Sequence, residues 1–105
     1  MSFSRTKYRN KITCIDGIRF HSKKEASHYL TLKVLEKSKK IWNLKLQVPY
    51  VVVVGGKKIC TYKADFVYED KKGTHVVDVK GVRTQIYSLK KKLIEALYPF
   101  QIEEV

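Results

Sequence analysis

The chain has 105 residues, 44% hydrophobic and 30% charged, a composition that suits one modest folded domain and excludes a disordered chain. Its 22 Lys and Arg against 10 Asp and Glu leave a formal charge of +12, which points to a polyanionic partner, nucleic acid first and an anionic membrane surface second. No span is long enough to cross a bilayer, since the longest apolar stretch runs only from about Val48 to Val54.

Ser2 to Lys11 carry Arg5, Lys7, Arg9 and Lys11 and no apolar periodicity, so residues 1–11 read as a basic arm with no secretory signal. Ile12 to Phe20 holds Asp16-Gly17 between two short apolar runs, which predicts a β-hairpin because this pair accepts the positive φ of a type I′ turn. Ser22-Lys23-Lys24-Glu25 matches a capping box, and Ala26, Tyr29, Leu30 and Val34 give helical spacing through about Lys37.

Ile41 to Val54 reads as a loop entering a strand in which Leu44, Leu46 and Val48 alternate. Pro49 places that strand at a sheet edge or at a bulge, since proline cannot donate to a ladder. Gly55-Gly56 is the next turn, Lys58 to Glu69 a second long strand, Asp70 to Gly73 a turn, and Thr74 to Lys80 a third strand. Thr84 caps a second helix that runs to about Tyr98, with Ile86, Leu89, Leu93 and Leu97 as its apolar stripe. Pro99 ends it, and Phe100 to Val105 alternates as a last short strand, expected parallel to the third through a right-handed crossover. Cys14 and Cys60 have no metal-ligand spacing and read as reduced thiols of a cytoplasmic protein.

Two acids interrupt apolar runs: Asp65 in Tyr62-Lys63-Ala64-Asp65-Phe66 and Asp78 in Val76-Val77-Asp78-Val79-Lys80-Gly81. An unpaired charge in a half-buried strand is costly, so each needs a reason. If Asp70 to Gly73 form the turn, Glu69 faces Thr74 and Asp65 faces Asp78, with Cβ atoms about 4.5–5.5 Å apart. Two carboxylates there repel, and a divalent cation between them resolves the conflict. Such an ion suits phosphodiester hydrolysis, because it activates water and neutralises phosphoryl charge. The Val79 carbonyl is a further candidate ligand. Lys80 shares the Asp78 face and is placed to orient the attacking water or neutralise developing charge. Glu25 is a fourth candidate, as metal ligand or only as helix cap. Lys63 and the run Lys90, Lys91 and Lys92 are candidates for contact with a nucleic-acid backbone. Gln47 would line the same cleft or stand as an ordinary strand-edge amide, and His28, in Glu25-x-x-His28, reads as a surface residue.

Asp65 followed by Asp78-Val79-Lys80, with Glu25 on a preceding helix, resembles the signature of the PD-(D/E)XK nuclease superfamily. The fuller blocks DGIRFHSKKEA, YKADFVY and VVDVKGVRTQIYSLKKKL resemble a small family of phage and prophage proteins assigned to it. The likeness covers most of residues 8 to 105. Two positions depart from the usual pattern: Ala64 stands where a proline precedes the first acid, and Asp78 replaces the commoner Glu. The resemblance implies an α/β fold with a restriction-endonuclease-like core of helix, three antiparallel strands, helix and parallel strand, here with an N-terminal hairpin. It also implies Mg²⁺ or Mn²⁺ dependence and a DNA endonuclease, in a phage-infected or lysogenic bacterial cell, acting in recombination, replication or packaging. Branched or duplex DNA is then the substrate. A Holliday-junction resolvase would need a symmetric homodimer, for which the sequence marks no interface.

Two rival readings use the same composition. A non-catalytic nucleic-acid-binding protein would keep the charge but gain nothing from two carboxylates facing phosphates. A phage regulatory protein that binds a host protein would show binding that survives high salt.

Overall fold

The computed structural model describes residues 12–79 and 83–105. The predicted basic arm at 1–11, together with Lys80 and Gly81, lies outside the described residues. The elements follow in chain order as β1 (Thr13–Ile15), β2 (Ile18–Phe20), α1 (Lys23–Lys37), β3 (Trp42–Val54), β4 (Lys57–Asp70), β5 (Gly73–Asp78), α2 (Gln85–Leu97) and β6 (Ile102–Glu104). β1 and β2 form a separate antiparallel hairpin, and the other strands form a mixed sheet in the order β3-β4-β5-β6 with β6 parallel to β5. Among the described residues, no helix is long and apolar enough to cross a membrane.

Local sequence accounts for most of the boundaries. Asp16 and Gly17 both take positive φ, 53° and 77°, as a type I′ turn requires. The Ser22 hydroxyl accepts the Glu25 N–H at 3.1 Å, and the Thr84 hydroxyl accepts the Tyr87 N–H at 3.0 Å, so each helix starts on its predicted cap. Pro49 lies on β3, the edge strand, where its missing N–H costs no internal ladder bond. The β4–β5 register pairs Glu69 with Thr74 and Phe66 with Val77, as the turn arithmetic required.

Two apolar cores lie on opposite faces of the sheet. One gathers Phe20, Ala26, Tyr29, Leu32, Ile41, Phe66 and Val77 beneath α1 and the hairpin. The other gathers Val52, Tyr62, Ala64, Val67, Val76 and Ile102 beneath Tyr87 and Ile94 of α2. Alternation along β3 and β4 does not persist. Leu44 and Leu46 pack toward α1, whereas Val48, Tyr50 and Val52 pack toward α2. Their partners switch in step, with Phe66 on the α1 side and Ala64 and Tyr62 on the α2 side. The pivot on β3 is Gln47, whose φ of 52° lies in the left-handed region. Opposite it on β4 is Asp65, flanked by the pairs Leu46–Phe66 and Val48–Ala64.

Each helix buries only part of the apolar stripe that its spacing suggests, Ala26 and Tyr29 on α1 and the half-buried Leu93 on α2. On α1 the buried residues are Glu25, Ala26, Tyr29 and Leu32, and Leu30 and Val34 face solvent. On α2 the expected stripe is largely in water, with Ile86 68% and Leu89 59% exposed, while Tyr87 and Ile94 are buried. Tyr87 lies roughly 100° around the helix from Ile86. That rotation turns Lys90 and Lys91 toward the sheet.

His75 ties the β4–β5 turn to β6. Its Nδ1 bonds Glu103, and its Nε2 lies 2.9 Å from Asp70 Oδ2, close enough for an ion pair though not aligned as a hydrogen bond. The Glu103 bond raises the His75 pKa above its usual 6.5, against the opposing effect of burial and with a further contribution from Asp70. A folded-state pKa above the unfolded one stabilises the fold below about pH 6.5, and that contribution fades as pH rises through the folded value. The melting temperature is therefore expected to fall between about pH 6 and 8, and His75→Gln is expected to flatten that part of the profile; thermal melts across the range test it.

Candidate functional site

Asp65 and Asp78 come from neighbouring strands and line one cleft of about 250 Å³, with Tyr62, Lys63, Thr84 and Lys90 among its other walls. Asp78 is 2% exposed. Alternation from Val76 puts it on the α2 side of β5, where its Oδ2 accepts the Tyr62 hydroxyl at 2.8 Å. Burial, and then this bond, hold the Tyr62 hydroxyl well above the usual phenol range, so it remains a proton donor at any working pH. The Asp78 main-chain carbonyl accepts the Val105 N–H at 3.0 Å, which fixes the end of β5 against the end of the chain.

Asp65 is held differently. Its Oδ2 accepts the Val79 N–H at 2.8 Å, and its Oδ1 accepts Gln47 Nε2 at 3.3 Å. The β4–β5 ladder ends at Phe66–Val77, one position short of Asp65 and Asp78, and the Val79 bond draws the Asp65 carboxylate to the end of β5. The Val79 group that engages Asp65 is thus its N–H; the sequence singled out its carbonyl.

Glu25 stands one residue further back. The Gln47 amide donates to Glu25 Oε2 at 3.2 Å as well as to Asp65, so Gln47 links the two carboxylates. The other Glu25 oxygen accepts the His21 N–H at 3.3 Å. That N–H is one residue before the Ser22 cap, so the carboxylate divides its oxygens between the chain entering α1 and Gln47. Gln47 needs its left-handed backbone to stand there, and a non-glycine residue in that region costs about 1–3 kcal/mol. Only the Gln inside the Leu44–Val48 alternation hinted at this in the sequence.

The basic residues separate. Lys63 is exposed on the cleft wall. Lys90 Nζ donates to the Thr61 carbonyl at 3.1 Å at the same cleft. Lys91 Nζ lies 3.4 Å from Glu104, so it is spent on β6. Lys92 is exposed and lines a neighbouring cleft with Arg83 and Ser88. The three consecutive lysines therefore have different neighbours: a β4 carbonyl, a β6 carboxylate and a separate cleft. Tyr87 donates to Glu104 at 2.6 Å; burial and then this bond raise its pKa, and the same bond, followed by Lys91 and Arg83, lowers that of Glu104. His28, expected at the surface, packs its ring against Phe66 at 5.5 Å, with Nε2 buried and without a hydrogen-bond partner among the described residues. Burial, and then Lys24, lower its pKa.

Among the described residues, no three His, Cys, Asp or Glu side chains converge closely enough to hold a metal ion alone. The chemistry present is a pair of carboxylates in a lysine-walled cleft, which fits a hard divalent ion that keeps several waters and takes substrate phosphate as a further ligand. Lys80 lies outside the described residues.

A mixed α/β chain with a carboxylate-bearing cleft between a sheet and the start of a helix is thus the class that these residues define. Residues 5–103 match the model of a family described as a protein of unknown function, DUF1064, and the chain belongs to that family. No curated protein and no solved structure matches it.

The link from Glu25 through Gln47 to Asp65 has a measurable consequence. Gln47→Glu removes both amide bonds and sets a third carboxylate between the other two. The variant is expected to lose about 1.5 kcal/mol or more at pH 7, and to recover as pH falls through the carboxylate range. Urea midpoints at pH 7 and pH 4 test this, and equal midpoints for variant and parent at pH 7 would remove the link.

Proposed function

We propose that this protein is a divalent-metal-dependent endonuclease that hydrolyses DNA phosphodiester bonds on a restriction-endonuclease-like core, within the phage DNA metabolism that its sequence blocks imply. The observation that carries the reading is the placement of Asp65 and Asp78 in one cleft beside Lys63 and Lys90. A surface built only to bind phosphate would lose affinity by facing it with two carboxylates.

Asp65 and Asp78 would hold Mg²⁺ or Mn²⁺, which when bound supplies an acidified water and neutralises charge on the phosphoryl oxygens. The Tyr62 hydroxyl supports the buried Asp78 carboxylate in a fixed orientation. The Val79 N–H and the Gln47 amide do the same for Asp65. Glu25 acts through Gln47 as a positioning residue. The first turn of α2 carries no acidic side chain, and its Thr84 borders the cleft, so a scissile phosphate would meet main-chain N–H groups and Lys63 there. Lys80 keeps the role its place two residues after Asp78 suggests, aligning the water or meeting developing charge.

Supercoiled plasmid is expected to be nicked in Mg²⁺ or Mn²⁺ and left intact in chelator. Asp78→Asn and Lys80→Ala are expected to cut at least about 100-fold more slowly while still binding DNA. Linear, nicked, flapped and four-way substrates in the same assay give the preferred shape. Parental rates in both variants would move the chemistry elsewhere.

A further inference from the structure

A second cleft, of about 380 Å³, lies at the other end of the long strands and has no part in the carboxylate site. Its walls are Lys39 and Lys40 from the loop after α1, Trp42 at the start of β3, and Asp70, Lys71 and Lys72 at the β4–β5 turn. Asp65 and Asp70 are five residues apart on β4, so this cleft begins roughly 17 Å along the strand from the carboxylates. Trp42 is the only tryptophan of the chain, and it is 42% exposed.

The backbone gathers these groups by specific means. α1 ends with the Lys39 N–H on the Glu36 carbonyl and the Lys40 N–H on the Leu35 carbonyl, each at 3.0 Å, the bond pattern of a Schellman motif. Such an end calls for glycine at the left-handed position, yet Lys39 occupies it with φ 61°. Asn43, at φ 56°, interrupts the β3–β4 pairing just after Trp42 and bonds Glu69 at 2.9 Å. Asp70 accepts the Lys72 N–H at 2.8 Å, holding the turn that presents Lys71 and Lys72.

The charges around Trp42 are unbalanced. Lys33, Lys90 and Lys91 each have a protein partner, but among the described residues the ammonium groups of Lys39, Lys40, Lys71 and Lys72 have none. Among the described residues Asp70 is the only acid lining the cleft, where it is engaged with His75, and Glu69, paired with Trp42 across β3 and β4, is bonded by Asn43. Four cations beside an exposed indole suit a ligand that carries both phosphates and accessible π faces. Unpaired nucleic acid has both, whereas a duplex hides its base faces in the stack.

We propose that the Trp42 cleft binds an unpaired nucleic-acid strand, with a base stacked on the indole and flanking phosphates on Lys39, Lys40, Lys71 and Lys72. Resting on the nuclease reading, it makes DNA with a single-stranded arm the preferred substrate class; the binding itself does not need that reading. The separation from Asp65 corresponds to about five stacked nucleotides.

The sole tryptophan makes the site its own reporter. The full chain is titrated in chelator with oligo(dT) and with a blunt duplex, following tryptophan emission. Saturable quenching by oligo(dT), stronger than by duplex, is expected. By anisotropy of a labelled oligo(dT), Trp42→Ala should weaken binding about 5- to 150-fold and Trp42→Phe should keep most of it. Replacing Lys71 and Lys72 by Ala should reduce the salt slope by about 1.4. Oligo(dT) binding with unchanged emission and no loss in Trp42→Ala would overturn the proposal, as would quenching by phosphatidylserine vesicles but not by oligo(dT). Because no cleavage occurs in chelator, quenching in a chain that never cuts DNA would sink only the nuclease reading. Cutting without quenching would sink only this one.

Discussion

Gln47 sits in left-handed backbone in the middle of a strand, a conformation that a glutamine adopts only at a cost of about 1–3 kcal/mol. What the fold gains is a reversal of facing shared by two strands. Before Gln47, β3 contributes Leu44 and Leu46 to the core under α1; after it, Val48, Tyr50 and Val52 serve the core under α2. β4 changes sides across Asp65, so the pairs stay matched through the pivot. The polar pair at the pivot belongs to neither core. That is why a carboxylate and an amide can stand between two apolar layers, and why the chain from Glu25 through Gln47 to Asp65 can form there.

Asp78 depends on the same arrangement. Tyr62 lies on the α2 side of β4 because the reversal puts it there, and its hydroxyl then meets the Asp78 carboxylate. A buried carboxylate without such a donor would favour its neutral form. The α2 helix completes the setting by turning Tyr87 and Ile94 inward. One result is that Lys90 and Lys91 are drawn to the sheet while Ile86 and Leu89 stay in water. The excess charge is consequently not spread evenly over one helix. Some of it braces the sheet, and four lysines collect around Trp42.

Much of the scaffold was legible because short-range chemistry sets it. Asp16-Gly17, the Ser22 and Thr84 caps and the Asp70–Gly73 turn each specify a local geometry, and that turn alone fixed the register that brings Asp65 toward Asp78. The buried helix faces were legible only in part. Ala26 and Tyr29 stand in the predicted α1 stripe and are buried, but Leu30, Val34, Ile86 and Leu89 have the same spacing and face solvent, and period alone does not say that Leu32, Tyr87 and Ile94 meet the sheet in their place. The role of Gln47 was also hidden, since a left-handed glutamine is favoured only by partners distant in sequence, Glu25 and Asp65. The same holds for His28, whose half-buried place against Phe66 has no mark in Glu25-x-x-His28.

The central claim, that the ends of β4 and β5 form a seat for a divalent cation, is tested most directly by adding Mn²⁺ at low stoichiometry to isotopically labelled protein and mapping paramagnetic broadening of the amide signals. Loss confined to Asp65, Asp78, Val79 and their immediate neighbours is the predicted result. Broadening centred instead on Asp70 and Glu103, or spread evenly over the acidic surface, would contradict it.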